Sequence, residues 1–309
     1  MKILITGVHG FVGSNLAPYL AQGNEIYGLD IIAHERKDVI KTFSWDDLDA
    51  GRVPEVDAII HLAGKAHDTK NKAAAEVYFK VNRDLTVKIY DYFLKQEGIR
   101  EFVFFSTAKA AADRVDGVLT EDVVPAPVGP YGESKIAAEE YILGRMPIEK
   151  QVYILRPCMI HGPGNKGNLN LLYNVVKKGI PWPLGAFENR RTFTSVENIC
   201  FVVNGVLTRD VPSGIYNMGD DDALSTNELI EEICDSLGKK ARIWKLPKGF
   251  MNSMAKVGGW LHLPLDQERL RKLTENYISS NAKIKTALCV DRMPVSARDG
   301  LRITLNSFK

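Results

Sequence analysis

Three glycines near the start of the chain have the spacing of a turn that binds phosphate. Gly7, Gly10 and Gly13 lie between an apolar run, Lys2 to Thr6, and a segment of helical periodicity that begins at Phe11. Without side chains, these positions permit a tight turn and let backbone amides and a helix N-terminus approach a pyrophosphate. Because the chain contains 25 glycines, the spacing alone is weak evidence. The position between a strand and a helix is what predicts a dinucleotide site.

An acidic residue ends the second apolar run. Asp30 comes about 20 residues after the glycine turn, where a carboxylate accepts hydrogen bonds from the hydroxyls of an adenosine ribose. A carboxylate at this place repels a 2′-phosphate, so the sequence favours NAD over NADP. His34 and Arg36 follow closely and would offset part of that repulsion, which keeps NADP as the alternative cofactor.

A tyrosine and a lysine have the spacing of a catalytic pair. Tyr131 and Lys135 are four residues apart, which places both side chains on one face of a helix. A nearby ammonium stabilises a phenolate and lowers its pKa from about 10 toward the range of a general acid or base. Such a pair can move the proton of a hydroxyl group while a hydride leaves the carbon that bears this hydroxyl.

The chain contains a second pair of this kind, Tyr173 and Lys177, so the spacing alone does not identify the catalytic residues. Tyr131 opens a predicted helix soon after a strand that ends at Ser106-Thr107, which brings hydroxyls and phenol to one edge of the sheet. We therefore predict that Tyr131 is catalytic and that Tyr173 and Lys177 lie on a helix surface.

Short runs rich in Val, Ile and Phe alternate with longer segments of helical periodicity in the first half of the chain. This alternation predicts an α/β fold, a doubly wound parallel sheet of the Rossmann type with a smaller, mixed C-terminal substrate domain. The predicted strands are Lys2 to Thr6, Glu25 to Asp30, Ala58 to Leu62, Glu101 to Ser106 and Val152 to Arg156. The predicted helices are Phe11 to Ala21, Ala73 to Leu94 and Tyr131 to Leu143.

After Pro157, glycines and prolines break the alternation. We predict a dinucleotide-binding domain over residues 1–164, to which 190–217 return, and a substrate-binding region over 165–189 and 218–309.

Two features of the second region bear on its helices. Ser225 and Glu228 have the spacing of a capping box, which predicts a helix that begins near Thr226. The stretch Phe250 to Leu265 is amphipathic, and we interpret it as a helix or lid of the substrate domain. A membrane-surface element is disfavoured because this stretch carries little positive charge.

Composition excludes several classes of function. The chain has 40 basic and 38 acidic residues, a net charge of +2 and no dense basic block, so nucleic acid is not an expected partner. Its longest apolar runs, about five to six residues, are far shorter than the roughly 20 that span a bilayer, which predicts a soluble, cytoplasmic protein without a membrane partner. Glycines and a histidine interrupt the apolar N-terminus, so we interpret it as a strand and turn rather than a signal peptide.

The residue types that bind metals show no recognisable site. The four cysteines lie far apart, which is typical of reduced thiols in the cytosol. His61 and His67 have no obvious third ligand, so we predict that they pack and hydrogen-bond to the backbone and that no metal is bound.

Together these residues resemble the extended short-chain dehydrogenase/reductases, specifically the nucleotide-sugar epimerases and reductases of the NAD-dependent epimerase/dehydratase family. The resemblance runs through nearly the whole chain. It is carried by the glycine turn, Asp30, His61-Leu62-Ala63-Gly64, Asn82, Ser106-Thr107-Ala108, Tyr131-Gly132-Glu133-Ser134-Lys135, Arg156-Pro157, Gly162-Pro163-Gly164, Arg191 to Asn198 and Tyr216-Asn217-Met218-Gly219.

The resemblance implies a role for each residue. Tyr131 would be the catalytic acid or base, Thr107, with Ser106, would bond the sugar 4-oxygen, and Lys135 would also hold the nicotinamide ribose. Arg191 would bind the substrate diphosphate, which suits a planar guanidinium. Asp47 and Leu48 would flank the adenine of the cofactor. The other implied cofactor contacts are Gly7, Gly10, Phe11, Val12, Gly13, Asp30, Ile31, Leu62, Ala63, Gly64, Asn82, Tyr131, Lys135 and Pro157. The implied substrate contacts are Lys65, Thr107, Met159, Asn168 and Arg191.

The chain departs from the family pattern at two places. Dehydratases of this group carry an Asp-Glu pair directly after the catalytic Thr, whereas this chain has Ala108 and Lys109, which argues against a 4,6-dehydratase. The family often has Asn and Tyr where this chain has Met159 and His161, so a more apolar sugar pocket is expected on that side.

The resemblance implies two alternative activities. One is NAD-dependent epimerisation at C4 of a UDP-sugar through a 4-keto intermediate, which Asp30 favours. The other is an NAD(P)H-dependent 4-ketoreductase that makes a deoxy nucleotide sugar, to which Leu265 to Leu288 is also similar. A catalytically silent dinucleotide-binding module is a third hypothesis, and the intact set of Thr107, Tyr131 and Lys135 argues against it.

The resemblance also implies an assembly and a pathway. Homologues commonly pair through two helices of the first domain, so we expect a homodimer through Ala73 to Leu94 and Tyr131 to Leu143. The expected pathway is the synthesis of a surface polysaccharide.

Overall fold

The computed structural model describes residues 1–65, 74–165, 167–260 and 266–309, without the side chain of Asn168. The strands are β1 (Lys2–Thr6), β2 (Glu25–Leu29), β3 (Lys41–Phe43), β4 (Ala58–His61), β5 (Glu101–Phe105), β6 (Val118–Leu119), β7 (Gln151–Pro157), β8 (Met159–His161), β9 (Phe193–Ser195), β10 (Gly214–Met218) and β11 (Ile278–Ser279). The helices of the first half are α1 (Phe11–Leu20), α2 (Trp45–Asp49), α3 (Ala75–Tyr78), a π-helical turn (Phe79–Asp84), α4 (Leu85–Lys95), α5 (Ala108–Ala111) and α6 (Pro130–Leu143). Those of the second half are α7 (Asn168–Lys177), α8 (Val196–Thr208), α9 (Thr226–Ser236), α10 (Lys248–Trp260), α11 (Gln267–Thr274), α12 (Ala282–Ala287) and α13 (Ala297–Asn306).

Seven of these strands form one parallel sheet in the order β10-β7-β5-β4-β1-β2-β3. The chain moves outward from β1 in one direction through β2 and β3, and in the other through β4, β5, β7 and β10. Strand order therefore reverses between β1 and β4, and in such sheets ligands bind beyond the carboxyl ends of the strands at that point. The α/β doubly wound fold predicted from the sequence is confirmed.

The central strands are apolar on both sides because helices cover both faces of the sheet. Ile3 and Ile5 of β1 point to one face, where they pack with α1 and α8. Leu4 points to the other, where it joins Phe102 of β5 and the buried face of α4 and α6. Each strand thus divides its side chains between two cores, which fixes the register of the sheet.

A third core forms in the second half of the chain. It gathers buried side chains of α7, α9, α10 and α13, among them Tyr173, Ile233, Met251 and Leu301. Helix α13 packs beside β8 and β9, where a Cβ added to Gly300 would lie 2.7 Å from the Cβ of Ser195. The division into a dinucleotide-binding domain and a substrate-binding region remains a prediction, but β10 and α8 clearly lie on the large sheet.

The five predicted strands and three predicted helices begin and end within about two residues of the observed ones. Two differences concern the site. The segment predicted as one helix over Ala73 to Leu94 is interrupted by the π-helical turn, and Ala73 itself lies outside the described residues. Strand β3 was not predicted, because three residues are too few to show a period.

The capping box predicted at Ser225 is confirmed, since Ser225 and Glu228 each accept a hydrogen bond from the other's backbone amide at the start of α9. The four cysteines are free thiols, and three of them are buried. Within the described ranges, no helix has the length and apolar character needed to cross a bilayer.

Candidate active site

The glycine turn joins β1 to α1 at the point where strand order reverses. Gly7 has a left-handed φ of 68°, and a Cβ there would lie 2.8 Å from the backbone nitrogen of Ala63. A Cβ on Gly13 would lie 2.6 Å from the carbonyl oxygen of Gly7. Gly10 occupies the N-cap of α1 without a capping side chain. The turn is therefore closed to any side chain at Gly7 or Gly13, and it presents the N-terminus of α1 as an anion site.

Asp30 lies beside this turn and is tied to it. Its carboxylate accepts hydrogen bonds from the backbone amides of His9, at 3.0 Å, and of Ile31, at 2.7 Å. These bonds hold the carboxylate at the carboxyl end of β2, where sequence reasoning placed a ribose contact. Ile31 itself is 86% exposed, so its side chain has no packing role in the described structure.

Arg36 binds the protein rather than standing free beside Asp30. Its guanidinium donates to the carbonyl of Val8 at 2.9 Å and forms a close ion pair with Asp38. An arginine already paired with a carboxylate offsets little of the field of a second one. Arg36 therefore offsets little of the repulsion between Asp30 and a 2′-phosphate. The ring of His34 does lie near the glycine turn, with its centroid 5.5 Å from that of His9.

The loop after β4 is positioned by Asn82 of the π-helical turn. The Asn82 side chain accepts a hydrogen bond from the amide of Lys65 at 2.7 Å and donates to the hydroxyl of Ser134 on α6 at 3.0 Å. A Cβ on Gly64 would lie 3.2 Å from Nζ of Lys135. Asn82, predicted as a cofactor contact, thus joins the β4 loop to the catalytic helix, and Gly64 gives the Lys135 ammonium room.

Lys135 is a buried cation on α6. Its Nζ donates to the carbonyl oxygen of Phe105 at 2.8 Å and lies 4.8 Å above the ring centroid of Phe104. Burial lowers the pKa of Lys135 to about 8, and the negative charge of Glu139 acts in the opposite direction.

Glu139 lies one helical turn after Lys135 and is fully buried. It forms an ion pair with Arg156 of β7, whose Nε lies 3.0 and 3.1 Å from the two carboxylate oxygens, and it accepts a short hydrogen bond from the hydroxyl of Ser106. The Ser106 hydroxyl therefore already donates its proton within the protein, to Glu139. Sequence reasoning missed Glu139, although its spacing from Tyr131 and Lys135 puts all three on one helix face.

Tyr131 meets Thr107 at the start of α6. The pKa of Tyr131 is raised because burial disfavours the phenolate, while a hydrogen bond with Thr107 acts in the opposite direction. In this structure burial outweighs any stabilisation of the phenolate by Lys135, so the lowered pKa expected from the sequence stays a prediction. Burial dominates, and the ammonium is engaged by Phe105 and Glu139. The predicted proximity of Thr107 and Tyr131 is observed.

The second tyrosine–lysine pair is structural. Tyr173 is only 2% exposed and packs edge-on against Phe308, with ring centroids 5.3 Å apart. The expectation that it lies on a helix surface is wrong, because its face of α7 is covered by the third core. Lys177 is exposed at the last turn of α7, as expected.

Arg191 lies among charged side chains at the C-terminal end of α11. Its guanidinium donates to the carbonyl oxygens of Lys272 and Glu275 and lies 3.7 Å from the Glu275 carboxylate. Arg271 pairs with Glu275 at 2.9 Å and comes within 4.0 Å of Asp113. Arg191 and Arg271 thus form a pair of guanidinium groups in one region, and Arg271 was not foreseen because isolated arginines carry no spacing signal.

Lys109 stands where a dehydratase has an acid. Its ammonium donates to the carboxylate of Asp113 at 2.7 Å and lies 4.9 Å from the ring centroid of Tyr277. The Tyr277 hydroxyl in turn donates to the carbonyl oxygen of Ala112 at 2.8 Å. Lys109 therefore anchors α5 to the second region, which agrees with the argument against a dehydratase.

The other predicted contacts fall into three groups. Phe11 and Val12 open α1, and Leu62 and Ala63 follow β4, so their backbones line the reversal point. Asp47 forms the capping box of α2 with Ser44, and Leu48 packs its side chain in the core. Pro157 and Met159 lie at the end of β7 and in β8. The side chain of Asn168 lies outside what the structure describes.

Two histidines are structural in the described residues. His61 accepts from Thr6 and donates to Thr86, at 2.6 and 3.0 Å, because Thr86 uses its own proton on the carbonyl of Asn82. It therefore bonds to side chains rather than to the backbone as predicted. His161 is buried against Thr304 of α13 at 2.9 Å, so it does not line a sugar pocket. His67 lies outside the described residues, and the described ones hold no cluster of three or more metal-binding side chains.

Comparison with known proteins agrees with this geometry. The family model of the NAD dependent epimerase/dehydratase family matches residues 3–219. UDP-glucose 4-epimerase of Vibrio cholerae is 30% identical over 263 residues, which cover 80% of this chain and 78% of that protein. GDP-6-deoxy-D-mannose reductase of Pseudomonas aeruginosa is 27% identical over 247 residues, 76% and 79% of the two chains.

A solved structure extends the comparison to the fold. The UDP-glucuronic acid 4-epimerase of Bacillus cereus in complex with NAD superposes with a TM-score of 0.76 at 20% identity, and covers 100% of this chain and 98% of that one. The two regions described above therefore occur together in a known architecture.

The Glu139–Arg156 pair yields a prediction about stability. Glu139→Gln leaves the buried Arg156 without its counter-charge, so we expect the free energy of unfolding in urea to fall by about 3–5 kcal/mol. Glu140→Gln is the matched control, since Glu140 is exposed on the same helix and should change stability by less than about 0.5 kcal/mol. Equal stabilities of the two variants would contradict the role assigned to the pair.

His61 yields a prediction about pH. Burial and the nearby charge of Lys135 lower the pKa of His61 to about 3, so the ring is neutral in the folded protein but takes up a proton on unfolding below pH 6.5. The stability contributed by the neutral ring is present above pH 6.5 and is lost as pH falls toward 3, by about 1.4 kcal/mol per pH unit in that window. His61→Gln should remove this slope from urea titrations at several pH values. His34→Gln, an exposed control, should keep it.

Proposed function

Because the chain belongs to the NAD-dependent epimerase/dehydratase family, we propose that it inverts the configuration at C4 of a nucleotide-linked, most simply UDP-linked, sugar. The observation that carries this proposal is the contact of Thr107 with Tyr131, one helical turn before the buried Lys135 and beside the glycine turn. The similarity of the chain to the Vibrio cholerae epimerase supports the same reaction.

The glycine turn fits the cofactor. Gly7 and Gly13 leave no space for a Cβ, so the turn backbone is open to a pyrophosphate at the start of α1. Two backbone amides fix the Asp30 carboxylate at the carboxyl end of β2, where it is proposed to accept hydrogen bonds from the ribose hydroxyls. Its negative charge selects NAD against NADP, and the pairing of Arg36 with Asp38 strengthens that preference.

The catalytic residues divide the proton chemistry at the sugar. Bound NAD supplies the acceptor and donor of the C4 hydride. Tyr131 removes the proton from the 4-hydroxyl as the hydride leaves and returns it when the hydride is delivered to the other face. Thr107 hydrogen-bonds to the same oxygen and to the Tyr131 phenol, and the Lys135 ammonium stabilises the negative charge that develops there.

Substrate binding is assigned to the second region and its border. Arg191 is proposed to bind the diphosphate, and Arg271 beside it offers a second guanidinium. Both would exchange contacts with Glu275 for contacts with phosphate oxygens. Lys65, Met159 and Asn168 are proposed around the sugar, with Met159 on its apolar side.

Reduction of a 4-keto sugar is the second candidate. It uses Thr107, Tyr131 and Lys135 in the same way, but the hydride comes from NADH or NADPH that is exchanged in every cycle. The similarity to the Pseudomonas reductase favours this candidate, although at lower identity than the Vibrio epimerase.

The setting of the enzyme is also proposed. We place it in the cytoplasm, in the synthesis of a surface polysaccharide, as a homodimer formed through α3, α4 and α6. Val77 and Leu143, which are 42% and 41% exposed on these helices, are available to such an interface.

Tyr131→Phe tests the catalytic assignment. Loss of the phenol should lower kcat by about 10²–10⁴-fold or abolish turnover, because proton transfer at the 4-oxygen is lost. Binding of NAD, measured by calorimetry, should remain. Tyr173→Phe is the matched control, since the Tyr173 hydroxyl has no hydrogen-bond partner in the described structure and its removal should leave kcat unchanged. Unchanged activity of Tyr131→Phe would eliminate the mechanism.

The state of the cofactor separates epimerase from reductase. We expect purified protein to contain NAD and to interconvert two UDP-sugars that differ at C4 with no cofactor added, as followed by chromatography. Stoichiometric consumption of NADH or NADPH with a 4-keto nucleotide sugar, and no interconversion without it, would instead establish the reductase.

A further inference from the structure

Helix α10 exposes a row of large apolar side chains. Phe250, Met254 and Val257 recur at i, i+4 and i+7 and are 53%, 48% and 53% exposed, and Trp260 at the end of the helix is 80% exposed. We call these four residues the apolar stripe. The opposite side of α10 is buried in the third core, so packing among the described residues does not account for the stripe.

The chain segment that carries the apolar stripe is strongly basic. Residues 236–260 contain six cationic side chains and no acidic one, in a protein whose net charge is only +2. All six are exposed, and none forms an ion pair in the described structure. They are Lys239, Lys240, Arg242, Lys245, Lys248 and Lys256, which we call the basic set.

This part of the chain is held firmly on the second region. Trp182 exchanges backbone hydrogen bonds with Arg242 and Trp244, both at 2.8 Å, and Ile243 packs against the third core. Trp244 is itself 55% exposed beside the start of α10. The nearby acid Asp266 is occupied, since it caps α11 and pairs with Arg269 at 3.7 Å.

We propose that the apolar stripe and the basic set dock the enzyme on the surface of an anionic lipid bilayer. Aromatic and aliphatic side chains of such a helix enter the boundary between headgroups and acyl chains, and lysines around it bind lipid phosphates. A membrane surface was disfavoured above because Phe250 to Leu265 carries little positive charge. Five cations of the basic set, however, precede this stretch. Docking goes beyond the proposed function and does not depend on it.

Two other occupants fit the surface less well. A second copy of the chain would bring the two basic sets together, and like charges repel. A helix of 13 residues is only about 20 Å long, which gives a stripe far smaller than the ~800 Å² per partner of a stable interface. Nucleic acid would use the basic set but would leave the exposed aliphatic side chains in water.

Vesicle binding tests the proposal on the full chain. We expect cosedimentation with vesicles of phosphatidylcholine and phosphatidylglycerol, a blue shift of tryptophan emission from Trp244 and Trp260, and release at high salt because exposed charges are screened. Vesicles of phosphatidylcholine alone should bind weakly. Lys248→Glu with Lys256→Glu should lower the partition coefficient at least about tenfold, and Phe250→Ser with Trp260→Ser should abolish the emission shift.

Matched variants elsewhere on the surface are the controls. Lys95→Glu with Lys37→Glu makes the same charge change, and Val124→Ser with Ile148→Ser removes exposed apolar side chains far along the chain from α10. Both should bind vesicles like the parent. Circular dichroism checks that every variant is folded. The proposal is overturned if the parent does not bind anionic vesicles, if controls and test variants lose binding equally, if the α10 variants change the oligomeric state in light scattering, or if single-stranded RNA binds more tightly than the vesicles.

Discussion

The need to keep one ammonium group charged in a buried place shapes this active site. Lys135 is 5% exposed, and desolvation of a lysine ordinarily drives it toward the neutral form. The protein opposes this with the Phe105 carbonyl, the electron-rich face of Phe104 and the carboxylate of Glu139. Glu139 would be too costly to bury alone, so Arg156 accompanies it. Helix α6, β5 and β7 are thereby coupled around a single charge.

Much of the fold could be predicted from the sequence, because it depends on local patterns. The strands of the first half are continuous apolar runs, and the glycine turn and the Ser225 capping box act over a few residues. The same holds for the site residues that directly follow a strand, since the carboxyl ends of neighbouring parallel strands lie at the same edge of the sheet. Asp30 and Thr107 were placed this way, whereas Tyr131 was found from its four-residue spacing to Lys135 and its position at the start of a helix.

What could not be predicted depends on contacts between distant segments. Nothing near Glu139 in the sequence indicates that it meets Arg156, and the burial of Tyr173 is decided by Phe308, far along the chain. The role of Asn82 depends on a π-helical turn that periodicity cannot show, since one extra residue is inserted into an otherwise regular helical pattern. Arg271 and Arg191 come together only at Glu275, which lies far from Arg191 in the sequence.

Helix α13 has a consequence for the order of folding during synthesis. The large sheet is complete when β10 leaves the ribosome, since its last strand ends at Met218. The third core, by contrast, lacks Leu301 and Leu305 until the final helix emerges, and His161 has no Thr304 to bond. The nascent chain therefore holds a complete large sheet, whose core still lacks Ile284, Leu288 and Met293, beside an open apolar region for about 90 residues of translation, or on the order of 5–20 s at ordinary elongation rates. During that interval chaperones have an exposed apolar surface to bind.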